Sequence, residues 1–163
     1  MTAPDVVTEM FAAYRTSLDS LEGKLGNAFS DAVDLLEGMS GTVVVCGMGK
    51  SGLVGAKITA TLTSTGTPSV FLHPAEAMHG DLGIVRKGDV IILISNSGET
   101  EEITRLLPAL KRLAVRIIAL VGNVDSTMAR AADICLDAAI DKEACPLNLA
   151  PTTSTLAALV LGD

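Results

Sequence analysis

The chain has 163 residues, which suits one domain long enough to bury a real core. It is 48% hydrophobic but only 2% aromatic and has no Trp, so Val, Ile, Leu and Ala must fill the interior, as suits a buried parallel sheet. A formal net charge of -7 argues against nucleic acid or an anionic membrane as partner, and it requires any bound phosphate to be held mainly by backbone amides and hydroxyls, helped by one or two local cations.

Apolar residues from Val7 to Leu36 recur at three- and four-residue steps, which predicts one long helix or two short ones, with Gly23 and Gly26 marking a break. This stretch, 1–40, reads as an N-terminal helical arm; packing on a partner subunit and covering its own sheet are both open to it. Residues 41–163 read as one α/β domain. A first strand at 42–46 runs into the turn Gly47-Met48-Gly49-Lys50-Ser51-Gly52, and a helix follows to about Ser64. A short strand at 69–72 leads to a loop, His73 to Asp81, that holds both histidines of the chain. The central strand, 89–95, is followed by a helix to about Leu113, a fourth strand at 115–121 and a short helix from Ser126. A fifth strand around 134–136 and a loop at 141–146 precede a last helix that Thr152 or Thr153 could cap.

Alternating strands and helices predict a three-layer, doubly wound, five-stranded parallel sheet of flavodoxin-like type. Right-handed crossovers then put the strand-end turns on one edge, with the turns after strands one and three flanking a switch point. The three cysteines, Cys46, Cys135 and Cys145, form no CxxC pair, the N-terminus has no basic stretch, and no apolar run reaches membrane-spanning length; these point to a soluble protein of the reduced cytoplasm.

The most informative stretch is Ser95-Asn96-Ser97-Gly98-Glu99-Thr100-Glu101-Glu102, where an apolar strand ends and a helical pattern starts. Ser95, Ser97 and Thr100 each offer an O–H, Gly98 lets a ligand approach the backbone, and the first N–H groups of the helix lie beside them. An ordinary N-cap needs one hydroxyl; three within six residues suit a phosphate. Gly47, Gly49 and Gly52 match the dinucleotide fingerprint, but the acid expected about 20 residues on is missing, since Leu72-His73-Pro74 stands there. It is no Walker A loop either, because Val44 occupies the place of the first glycine. Lys50 makes better sense facing the serine cluster, where an ammonium can neutralise phosphate or polarise a sugar oxygen. Glu99, Glu101 and Glu102 suit a helix N-terminus electrostatically, yet Glu99 and Glu102 share a face and one could serve as general base. Glu143 is a second candidate base. His79-Gly80-Asp81 supplies too few ligands to define a metal site, so a hydrogen-bonding role suits His79, while His73 and Cys145 read as structural.

Four segments together resemble the sugar isomerase (SIS) domain of arabinose 5-phosphate isomerases: Gly47 to Gly52, His73-Pro74-Ala75-Glu76-Ala77-Met78-His79-Gly80-Asp81-Leu82-Gly83, Ser95 to Glu102, and Lys142-Glu143-Ala144-Cys145-Pro146 through Thr155. The resemblance implies interconversion of D-ribulose 5-phosphate and D-arabinose 5-phosphate through an enediol, the entry to Kdo synthesis for lipopolysaccharide or capsule. It assigns catalysis to Lys50, Glu102 and Glu143, and phosphate binding to Ser51, Ser95, Ser97 and Thr100. Gly49, Asn96 and Gly98, in the same turns, join the substrate site. His79 falls where the family has a pocket histidine that can meet zinc; no organic cofactor is expected. A homo-oligomer, dimer or tetramer, is also implied. Leu53 departs from a frequent family histidine. The family pattern continues past Leu161-Gly162-Asp163 to a Ser-His-Pro-Gly-Gly segment with a further catalytic histidine, often followed by CBS domains. The expectation is therefore a core that binds phosphopentose and turns it over poorly. A non-catalytic phosphosugar sensor and an isomerase of another phosphosugar are the alternative expectations.

Overall fold

The computed structural model describes residues 2–163. Five parallel strands, β1 (Val43–Gly47), β2 (Ser69–Leu72), β3 (Val90–Ser95), β4 (Arg116–Val121) and β5 (Ile134–Asp137), form one sheet in the order β2-β1-β3-β4-β5. The helices are α1 (Ala3–Lys24), α2 (Asn27–Glu37), α3 (Gly49–Ser64), α4 (Pro74–Met78), α5 (Glu101–Thr104), α6 (Leu107–Leu113), α7 (Thr127–Ala131) and α8 (Thr153–Gly162). The expected five-stranded, doubly wound α/β fold is the one observed.

The central strands are buried on both faces, which is why β3 reads as an unbroken apolar run. Period-two alternation divides that run between two cores. Ile91 and Leu93 join Val44, Cys46 and Ile117 beneath Ile103, Leu106, Leu110 and Met128. Val90, Ile92 and Ile94 join Val43, Val45, Ile118 and Leu120 beneath Ala32, Ile58 and Ala158. Helices α5 to α7 thus cover one face and α2, α3 and α8 the other.

The arm is two helices, broken at Leu25 and Gly26. Helix α2 covers its own sheet, with Phe29, Leu35 and Leu36 packed on the core. Helix α1 instead runs against α8, buries Ser17 and Leu21, and leaves Val7 and Phe11 about half exposed, at 51% and 55%. Lys24 anchors its end, donating to the Ala139 carbonyl at 2.7 Å and lying 3.6 Å from Asp137.

Two expected elements differ. The stretch 73–81 is not a plain loop: Pro74 starts the one-turn helix α4, and a 3-10 turn, Asp81–Ile84, follows. The helix after β3 is not continuous to Leu113 but splits into α5 and α6. Pro108 has no N–H to give the Thr104 carbonyl and its ring clashes there, so the backbone tightens through Leu106 N to Ile103 O at 2.9 Å. Among the described residues no helix is long and apolar enough to cross a membrane.

Buried Asp89 joins the starts of β1 and β3. Its Oδ1 accepts from Thr42 N at 2.8 Å and its Oδ2 from Arg86 N at 2.7 Å. A Cβ on Gly41 would sit 2.5 Å from Oδ1, so only glycine permits this approach. Replacing Asp89 by Ala strands both donors and should cost about 1–3 kcal/mol. Urea denaturation should show a lower midpoint with an unchanged slope.

Candidate functional site at the switch point

The chain leaves β1 towards β2 on one side and re-enters at β3 on the other, so β1 and β3 are neighbours that wind in opposite directions. Their register pairs Gly47 with Ile94, and both strands end at one level. The turns after them therefore border one crevice, the usual ligand position in an open α/β sheet. It is a cleft of about 560 Å³, lined on one side by Met48, Lys50, Ser51 and Asn96, and on the other by Glu143, Asn148 and Ser154 among others. A smaller recess continues from it, sharing Ser51, Asn96 and Ser154 and reaching Ser95 and Gly122.

The glycine turn is explained by packing. A Cβ on Gly52 would lie 2.7 Å from the Gly47 carbonyl oxygen, and one on Gly55 would lie 3.1 Å from Phe71 and 3.2 Å from Val45. The glycines let α3 sit directly on β1, with no dinucleotide needed to account for them. Gly49 alone uses a positive φ, of 58°. Lys50 is exposed and makes no salt bridge among the described residues, so its ammonium is free to meet a ligand.

In the second turn the three hydroxyls converge. Ser95 Oγ lies 2.7 Å from Thr100 Oγ1 and 3.4 Å from Ser97 Oγ, and it accepts from Gly98 N at 3.0 Å. Ser97 Oγ accepts from Glu99 N at 3.2 Å. Gly98 has φ 66°, and a Cβ there would fall 2.0 Å from Ser126 Oγ, so any larger residue opens the turn. Hydroxyls that satisfy one another can rotate their protons onto an anion without moving the backbone. Asn96 is held by its neighbour strand: Gly122 N donates to its carbonyl at 2.9 Å, and a Cβ on Gly122 would meet its Oδ1 at 2.4 Å.

The glutamates separate by what engages them. Glu99 Oε1 accepts from Thr127 N at 2.7 Å, and this backbone hydrogen bond holds its carboxyl below the usual range. Glu101 pairs with Arg105 one turn on. Glu102 is half-buried and makes no hydrogen bond among the described residues, which leaves it the free carboxylate of the three. Glu143 is clasped. Its Oε2 accepts from Thr152 N at 2.7 Å, Thr152 Oγ1 at 3.1 Å and Ser154 N at 3.2 Å, and its Oε1 accepts from Ser154 Oγ. Burial pushes the Glu143 carboxyl up, but the hydrogen bonds from Ser154 and Thr152 outweigh it and hold the group below the ordinary carboxylate range. The clasp is reciprocal: Ala144 N donates to Thr153 Oγ1 at 2.8 Å and Cys145 N to Thr152 Oγ1 at 3.2 Å. Glu143 N donates to Asn148 Oδ1 at 2.9 Å. The threonines of α8 thus satisfy the loop while Glu143 caps the helix.

The fold brings Lys50, Ser51, Asn96 and Glu143 to one cleft, with Ser95 in its recess and Ser97 and Thr100 bonded to Ser95. Gly49, Gly98, Glu102 and His79 do not line it. His79 is exposed at the end of α4, and no group of three or more His, Cys, Asp or Glu side chains gathers anywhere among the described residues. The donors present therefore do not fit a zinc site within one chain. Burial pushes the Cys46 thiol up to about 12, which makes it inert packing. The sequence reading missed Asn148 and Ser154. The signal was the run Thr152-Thr153-Ser154-Thr155, four hydroxyls at a helix start where one would cap.

Comparison with known proteins bears on this cleft. Residues 39–163 match the SIS domain family. The chain is 57% identical over 149 residues to arabinose 5-phosphate isomerase KdsD of Pseudomonas aeruginosa, covering 91% of this chain and 46% of that protein. It is 54% identical over 155 residues to KdsD of Escherichia coli K12, covering 95% and 47%. The chain thus spans about half the length of the curated relatives it matches. Among solved structures, c3406 of E. coli CFT073 in complex with arabinose 5-phosphate superposes with a TM-score of 0.94 at 38% identity, covering 100% of this chain and 88% of that one. The chain belongs to the SIS domain family.

Proposed function

We propose that this chain binds a pentose 5-phosphate at the switch point and interconverts D-arabinose 5-phosphate and D-ribulose 5-phosphate. The observation that carries the reading is the joining, in one cleft, of a free lysine, an ionised glutamate and a hydroxyl-lined recess. The turns at the mouth of the recess suit the phosphate: Ser51, Ser95, Ser97 and Thr100 offer O–H donors, and no second cation is needed if these hydrogen bonds carry the charge. The names of the curated relatives and of the arabinose 5-phosphate complex support the choice of sugar.

The chemistry follows from the sugar. A carboxylate takes the C2 proton of the aldose, the C–H electron pair forms the C1–C2 double bond, and the carbonyl electrons move onto O1. O1 takes a proton to give the enediol; the double-bond pair then takes the carboxyl proton back at C1, the O2–H pair forms the C2 carbonyl, and the proton released from O2 balances the one gained by O1, giving the ketose. Lys50 stabilises the charge that develops on the sugar oxygens. Glu143, which lines the cleft, is the proton carrier that the geometry supports; Glu102 is a second carrier on the family resemblance alone, since it does not line the cleft. No electrons leave the substrate, so the step calls for no redox cofactor.

One observation favours a second reading, a phosphosugar-binding domain without turnover: both Glu143 oxygens are already engaged by α8. Proton exchange separates the two. With D-ribulose 5-phosphate in deuterated water, an isomerase incorporates deuterium at C1 and a sensor incorporates none. Substituting Lys50 by Ala should slow that exchange by about 10²–10³-fold, the typical cost of removing one oxyanion donor. No exchange in the unsubstituted chain would leave the sensor standing.

Binding is tested without chemistry. Either phosphopentose at about 100 times its dissociation constant should stabilise the protein by roughly 2.7 kcal/mol. D-arabinose itself should give no shift. Ser97→Ala should weaken the phosphopentose effect, since a hydrogen bond to a charged group contributes about 1.5–3 kcal/mol. Equal thermal shifts from the sugar and its phosphate would remove the phosphate site.

A further inference from the structure

The four donors on Glu143 are not equivalent. Three of them, Thr152 N, Thr152 Oγ1 and Ser154 N, end on Oε2. Among the described residues, Oε1 receives only the Ser154 hydroxyl. Two of the three donors on Oε2 are backbone groups that survive any ordinary substitution, whereas the bond that fixes Oε1 depends on one side chain. Ser154 is also placed to matter. It is 6% exposed, lines the cleft together with Lys50 and Glu143, and lines the recess together with Ser51 and Ser95. It stands in the wall between the carboxylate and the hydroxyls.

We infer that Ser154 is a positioning residue: its hydroxyl, donated to Glu143 Oε1, fixes the plane of the carboxylate, so that Glu143 meets the sugar in one orientation. The inference rests on the isomerase reading for its kinetic consequence, but the hydrogen bond is independent of it. A carboxylate pinned at one oxygen can still pivot about that oxygen through coupled changes in its side-chain torsions, the last of which lies in a broad, soft well. Holding the second oxygen removes that freedom, and misplacement of a reacting group by about 1 Å costs on the order of 10²-fold. The charged groups facing Glu143 across the cleft are Lys50 on α3, and Asp141 and Lys142 on its own loop. Helix α8 brings no charged side chain in its first turn, so it acts on Glu143 through hydrogen bonds and the partial positive charge of its N-terminus.

The test uses the 163-residue chain carrying Ser154→Ala or Ser154→Thr, with two readouts. The first is the titration of the Glu143 side-chain carboxyl by NMR with ¹³C-labelled glutamate. Losing a donor to the ionised form should move it upward towards the ordinary carboxylate range in Ser154→Ala, while Ser154→Thr, which keeps the hydroxyl, should stay near the unsubstituted chain. The second is steady-state conversion of D-arabinose 5-phosphate. Ser154→Ala should lower kcat by about 10-fold or more with KM little changed, and Ser154→Thr should recover most of kcat. A thermal melt checks that both variants fold. An unmoved carboxyl or an unsubstituted kcat in Ser154→Ala overturns the inference. So does Ser154→Thr if it is as impaired as Ser154→Ala, since the effect would then be one of packing. If the unsubstituted chain converts no sugar, the isomerase reading fails, and the carboxyl titration alone decides whether Ser154 holds Glu143.

Discussion

Gly47 and Ile94 face each other on the last rung of the β1–β3 ladder, and the site follows from that pairing. Because β1 and β3 are hydrogen-bonded neighbours whose connections run to opposite sides, two turns that are 48 residues apart in sequence open into one crevice, as Met48 and Asn96 show. A slip of one residue would turn every side chain of β3 to the other face and exchange the two cores, so the register is strongly specified. The ladder is secured at its other end by Asp89, which reaches from just before β3 to the amide of Thr42 just before β1. Core packing thereby fixes the height of each strand end and so the width of the cleft.

For the proposed phosphosugar, a chain with net charge -7 has no general positive field to offer. The fold supplies donors locally instead. Three hydroxyls at the end of β3 are already joined by hydrogen bonds through Ser95, glycine at position 98 keeps the turn closed over Ser126, and the Lys50 ammonium lines the same crevice. Donors that are organised before the ligand arrives lose little freedom on binding, and this lets a few hydrogen bonds replace a basic patch.

Carboxylates near one another are sorted by the helix ends they meet. Glu99 is tied to the start of α7, Glu143 to the start of α8, and Glu101 to Arg105, while Glu102 is left without a hydrogen bond among the described residues. Helix N-termini favour an ionised carboxylate, so the capping that orders the irregular stretch between β5 and α8 also keeps Glu143 charged beside Lys50. One contact thus orders the chain and sets the charge of a group that lines the cleft.

Much of this was legible in the sequence. The strand–helix alternation, the apolar run of β3 buried on both faces, the break at Gly26 and the hydroxyl cluster at 95–100 are local patterns whose cause lies within a few residues, and each appears where the pattern predicts it. The four matching segments also identified the SIS family before any geometry. Pro108 carried its own local signal for the split between α5 and α6, but the apolar periodicity around it masked the break. Other features depended on where distant residues meet. Glycines 47, 49 and 52 matched a dinucleotide fingerprint by spacing, and only the contact of α3 with β1 and Phe71 shows that Gly47 and Gly52, with Gly55, serve packing. Glu99 and Glu102 were equivalent candidates by spacing, until Thr127, 28 positions away, claimed one of them. Glu143 and Ser154 lie 11 residues apart with an irregular loop between them, and no periodicity relates such positions. Local sequence therefore determined which groups are available, because propensity and alternation act over one or two turns. The tertiary structure decided which of them are satisfied and which remain free, because that depends on the donors that the fold brings from elsewhere in the chain.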